Sequence, residues 1–287
     1  MERKSKVFRR LPVSPILQFT LAALVFMAAC VPVPPEMLPR APGTAASGTT
    51  ASYPDIEPGG TSITSLHFTL RGYNENDLRT ISNVAEDVYN KVGLDTGLYS
   101  YLAGQAFTIV VYKDQDEYKT KTKQTDTVLR AIVGGNAIYT YPGPDFEPML
   151  AHQLTHLIFT TYMGPRAAPF NWLGEGLAMV EEIARMPESE RVVYQTTQSN
   201  KLRNERQPFS QMTFFVGSAE NKRRQDVWYL QVESVTAHLL RQGTSLAFAA
   251  FLNQLRNGAD LDHALSDNYS GRYRGTADFE TSWQSSL

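Results

Sequence analysis

The hydrophobic period of the chain changes once, near Phe146, and that change limits the folds open to it. Before this point, short alternating runs are interleaved with helical spacing. Leu66–Leu70 (LHFTL) reads as a short strand, and Leu78, Ile81, Val84, Ala85, Val88 and Val92 then recur at helical spacing until Gly93. Phe107–Tyr112 (FTIVVY) is a second strand, rich in β-branched residues. The stretch DQDE at 114–117 has the form of an N-capping box and predicts a short helix. After a polar stretch, Ala137–Tyr141 (AIYTY) reads as a further strand, closed by the Pro-Gly-Pro that follows. From Phe146 onward the pattern is almost entirely helical. Strands first and helices afterwards predict an α+β domain, with a small mixed sheet in the N-terminal half beside a helical C-terminal lobe.

The first 61 residues are excluded from that domain by their composition. MERKSKVFRR carries five basic side chains against one acid, and an apolar stretch from Ile16 to Ala29 follows it, as in a charged n-region and an h-region. The run closes on small residues directly before Cys30, the single cysteine of the chain, and resembles the lipobox of bacterial lipoprotein signal peptides. The resemblance implies removal of residues 1–29, lipidation of Cys30, and an extracytoplasmic protein anchored to a bacterial membrane through its N-terminal lipid. A short transmembrane anchor is the competing reading, but the apolar stretch is shorter than the roughly 20 residues a span needs. Residues 30–61 are rich in Pro, Gly, Ala, Ser and Thr, cannot bury enough surface to offset their ordering entropy, and read as a disordered tether. The folded domain is therefore expected over 62–287. Removing residues 1–29 shifts the formal charge from −2 to about −6, which argues against nucleic acid as a partner; the KRR cluster at 222–224 reads as a solvated loop.

The helical half opens with MLAHQLTHLIF at 149–159. On a helix, His152 and His156 lie one turn apart on one face, near enough for both rings to reach one ion at about 2.1 Å. The pair alone is weak evidence. The next helix start, NWLGEGLA at 171–178, adds Glu175 nineteen residues after His156, and two imidazoles with one carboxylate are the usual ligand set of a catalytic zinc site. Imidazole and carboxylate also admit cobalt, nickel or iron.

HQLTH followed by WLGEGLA resembles the zinc signature of the gluzincin metallopeptidases, and within them the peptidase MA-like group, whose pattern is H-E-x-x-H followed by W-x-x-E-G-x-A. YLQVESVTAHLL at 229–240 and the segments after it resemble the ending of the same group. The resemblance implies a zincin-like fold, one Zn²⁺ held by His152, His156 and Glu175, a peptide or protein as substrate or ligand, and Tyr229 as a hydrogen-bond donor to the tetrahedral oxyanion. It also implies that an extended peptide lies beside an edge strand, for which Ala137–Tyr141 is the candidate. Met179 stands where thermolysin-like enzymes place an acidic partner for a histidine ligand, which leaves the orientation of the metal histidines open; Glu181 and Glu182, about two turns beyond Glu175, read as supporting or surface groups.

The departure from the pattern is Gln153, which occupies the general-base position. A carboxamide can hydrogen-bond the attacking water but has no oxygen able to accept and return a proton, and positioned bases contribute about 10²–10⁴-fold. Three readings follow: an impaired, peptide-binding metallopeptidase relative; an active peptidase that borrows Glu147, Glu181 or Glu182 as base; or a metal-free structural lipoprotein. His67, His238 and His263 lack neighbouring ligand patterns and read as structural.

Overall fold

A computed structural model describes residues 52–287, other than 103, 105, 125–129, 144–145, 215–221 and 270. The expected signal peptide, Cys30 and most of the expected tether lie outside the described residues.

Five strands form one sheet: β1 (Thr61–Thr64), β2 (Phe68–Gly72), β3 (Phe107–Val111), β4 (Ala131–Gly134) and β5 (Ala137–Thr140). Their order is β1-β2-β3-β5-β4; the three central strands run parallel and both edge strands antiparallel. The helices are α1 (Glu75–Thr96), α2 (Tyr99–Leu102), α3 (Gln115–Thr122), α4 (Phe146–Met163), α5 (Asn171–Ala184), α6 (Glu188–Glu205), α7 (Phe209–Met212), α8 (Lys222–Gln242), α9 (Ser245–Arg256), α10 (Leu261–Asn268) and α11 (Thr276–Gln284). The fold is thus a helix-rich mixture of α and β, its sheet confined to the N-terminal half, as the change of period predicts. Among the described residues no helix is long and apolar enough to cross a membrane.

Alternation along the strands sends two sets of side chains to two faces. Phe68, Leu70, Ile109, Val111 and Ile138 join the main core with α1 and α4, while Val110, Tyr112, Ala137, Tyr139 and Tyr141 form a second, tyrosine-rich cluster with Tyr118 of α3. Residues 52–57 cover that second face. Tyr53 meets Tyr139 edge-on, the Tyr112 hydroxyl donates to the Pro54 carbonyl, and the Glu57 amide donates to the Tyr73 hydroxyl, which donates in turn to Glu117. These six residues, which composition assigns to the tether ahead of residue 62, thus pack against the sheet. Tyr53 and Ile56 have a hydrophobic cluster to bury against, which average composition conceals.

Several element boundaries differ from the pattern. The first predicted strand sits two residues later, leaving Leu66 83% exposed, and β1 was not foreseen. Helix α1 passes through Gly93 and ends only at Gly97, which takes the left-handed conformation at φ 69°. The capping box at α3 forms with a shifted return bond: Asp114 accepts from the Glu117 amide, while the Glu117 carboxylate accepts from the Lys113 amide. The KRR cluster opens helix α8 instead of lying in a loop.

The expected edge strand is a correction of more consequence. Ala137–Thr140 lies inside the sheet, hydrogen-bonded to β3 on one side and β4 on the other. The edge belongs to β4, hidden in what reads as a polar stretch. Gly134 pairs with Ala137 across a two-residue turn at Gly135 (φ 59°) and Asn136, so the chain folds back as a tight hairpin and covers β5.

Candidate metal centre

Helix α4 is apolar nearly all round, and every residue from Leu150 to Phe159 is buried, including His152, Gln153 and His156. A helix with that pattern must be covered on all sides. Two short 3₁₀ turns, Gly164–Arg166 and Ala168–Phe170, each with a proline near its start, reverse the chain after α4 and lay α5 against it. The glycines flanking Glu175 permit the approach. A β-carbon at Gly174 would lie 2.8 Å from the Phe159 ring of α4, and one at Gly176 would overlap the Thr236 hydroxyl and the Val232 carbonyl of α8. Glu175 is consequently held where its two neighbouring helices come closest.

The three donor atoms converge. His152 Nε2 and His156 Nε2 are 3.0 Å apart, and Glu175 Oε2 lies 3.3 Å from the second and 3.9 Å from the first. A triangle with those sides has a circumscribed radius of about 2.0 Å, so one point is equidistant from all three atoms at the bond length of zinc to imidazole or carboxylate. All three residues are buried, and Glu175 Oε2 has no hydrogen-bond partner among the described residues. A buried carboxylate oxygen facing two ring nitrogens at these distances fits a shared cation. The buried His152–His156–Glu175 group can hold a metal ion, and it is the one group of three or more such side chains among the described residues.

Glu182 completes the arrangement. Its Oε2 is 2.7 Å from His152 Nδ1, so that nitrogen donates and the lone pair of the neutral ring is left on Nε2, facing the centre. Burial opposes charge on His152, but the Glu182 hydrogen bond and charge, with Glu175, outweigh it and raise its pKa. For Glu175 burial pushes upward, and the attraction of His156 and then His152 brings its pKa below the ordinary carboxylate value. The family's position for this partner is Met179, which is buried in the hydrophobic core, and Glu182 fills the supporting role instead. The signal was present in the spacing: seven residues are two helical turns, so Glu182 lies on the same face as Glu175.

The other candidate residues separate clearly. Gln153 is 4% exposed, and its carboxamide makes no hydrogen bond among the described residues. Tyr229 is buried on α8 with its ring edge-on to Trp228; burial and then the nearby negative charge of Glu175 raise its pKa, so the phenol keeps its proton. Glu147 pairs with Arg185, and Glu181 is turned toward Lys91 and Asp95 of α1. Among the three spare carboxylates, Glu182 alone touches a donor residue. His67 bonds Glu86 and stacks on Tyr89, His238 is held between Ser282 and Ser286, and His263 caps back onto Asp260, so all three have structural partners. The chain matches no described protein family and no curated protein.

Proposed function

We propose that the protein is a lipid-anchored, extracytoplasmic relative of the peptidase MA-like gluzincins, with a zincin-like fold, that holds one Zn²⁺ and binds peptide while cleaving it weakly or not at all. The observation that carries the reading is the convergence of His152 Nε2, His156 Nε2 and Glu175 Oε2 around a point about 2.0 Å from each. In that centre a bound zinc ion supplies Lewis acidity. The chain's own groups do the rest. Glu182 fixes the orientation and tautomer of His152. Tyr229, kept protonated, is the candidate donor to an oxyanion. Gln153 can orient a water or a peptide amide through its carboxamide, but it cannot carry a proton from nucleophile to leaving amine. Glu147 and Glu181 face other partners, and Glu182 is committed to His152, which disfavours rescue by a substitute base. With β5 enclosed, an extended peptide has the free edge of β4 to pair with.

Elemental analysis of the purified full-length protein tests the metal, with one zinc per chain expected and less than a tenth of that in a His152→Ala, His156→Ala double variant. A folded wild type free of metal would remove the reading. Gln153→Glu tests the chemistry: peptidase activity rises about 10²–10⁴-fold over wild type. Equal activity in both would place the proton transfer on another group.

A further inference from the structure

A cavity of about 380 Å³ opens between the last turns of α1 and α8, the middle of α5 and the first turn of α9. Leu94, Val180 and Leu240 give it apolar walls, and Asp95, Arg241 and Ser245 add polar groups. Its size is that of a small-molecule site, and none of its lining residues belongs to the metal centre.

Arg241 and Ser245 are uncommitted. Neither side chain makes a hydrogen bond or ion pair among the described residues, and Arg241 does not pair with Asp95 although both line the same space. Ser245 is the first residue of α9, a helix of 12 residues whose N-cap, Thr244, accepts from the Ala247 amide. The amides of the first turn ahead of Ala247 therefore keep unspent donors at the positive end of the helix. Guanidinium, hydroxyl and helix terminus together suit a carboxylate. The α1 wall has the opposite character. Lys91 bonds one oxygen of Asp95, and Glu181, whose pKa burial raises to about 7, hydrogen-bonds the same carboxylate, which is still partly exposed and lines the cavity. A partly exposed carboxylate in the cavity wall keeps lone pairs for an added ammonium.

We propose that this cavity is a binding site for an apolar α-amino acid. The carboxylate is taken by Arg241 and Ser245, the ammonium by Asp95, and the aliphatic side chain by Leu94, Val180 and Leu240. The site is separate from the metal centre, and the proposal does not depend on whether a metal is bound.

Calorimetric titration of the full-length protein with leucine, 4-methylpentanoate and isopentylamine tests it without altering the protein. Saturable one-to-one binding of leucine is expected, with each analogue weaker by about tenfold or more, since each lacks one charged contact. Arg241 is exposed, so Arg241→Gln should fold with an unchanged melting temperature and zinc content while losing about 10- to 100-fold in leucine affinity. Absence of leucine binding overturns the proposal, as does leucine affinity indifferent to Arg241→Gln. Sedimentation showing a dimer that Leu246→Ser dissolves would also overturn it, because the exposed Leu246 beside the cavity would then be filling the groove of a second copy.

Discussion

Removing the carboxylate of Glu182 is the most informative perturbation of the metal centre, because it leaves all three donors in place. In Glu182→Ala, His152 Nδ1 loses an acceptor at 2.7 Å in a buried setting. A hydrogen bond to a charged group contributes about 1.5–3 kcal/mol. The His152 ring also becomes free to rotate or to move its proton to Nε2, which blocks coordination. Loss of such a supporting group lowers metal affinity about 10–100-fold, or about 1.4–2.7 kcal/mol, in agreement with the first figure. Glu182→Gln keeps an acceptor oxygen but not the charge and should fall between. Zinc affinity is read by competition against a chromophoric chelator, with circular dichroism to show that the helices survive. Wild-type affinity in Glu182→Ala would refute the reasoning, since His152 would then be oriented by packing alone.

Three further outcomes follow from the geometry. Gly176→Ala should lower stability by about 1–3 kcal/mol in urea unfolding, because its β-carbon meets the backbone carbonyl of Val232 as well as the movable Thr236, whereas Gly104→Ala, with open space around it, should be neutral. In a Gln153→Glu background, Tyr229→Phe should reduce kcat by about 10²–10³-fold with little change in zinc affinity, if the phenol supports an oxyanion. Glu233 is buried beside Gln198 and its pKa is raised to about 7, burial being the main cause. The unfolded chain therefore ionises at lower pH than the folded one, so this group takes stability away as pH rises from about 4.5 to 7. Up to about 3 kcal/mol is lost above that window and nothing below it. Glu233→Gln should accordingly raise the melting temperature at pH 8 and leave it unchanged at pH 4.

Legibility of the fold depended on how local each feature is. The run of α4, the start of α5 and the capping of α3 were readable because their signals lie within one or two turns. β1 (TSIT) was missed because it carries a single large apolar residue, and β4 (AIVG) because it directly follows a long polar run and ends on glycine. Misplacing the sheet edge followed directly, since strand order depends on pairing across the chain and not on any one run. The docking of residues 52–57 was missed for a related reason. A segment that looks too polar to fold needs only one tyrosine, one isoleucine, one bonded carbonyl and one bonded amide once a tyrosine-rich face is there to receive it.

The residue pattern by itself determined the donor types and their helical positions: 3.6 residues per turn puts His152 above His156, and puts Glu182 in line with Glu175. It also determined the chemical deficit, because an amide at position 153 cannot take up a proton wherever the helices lie. Only the tertiary structure decided that Glu175 meets the two imidazoles, that Glu182 and not residue 179 steadies His152, and that β4 and not β5 lies at the sheet edge. Those facts rest on how closely α5 approaches α4 and on which strands pair, and both are set by packing between segments far apart in the chain.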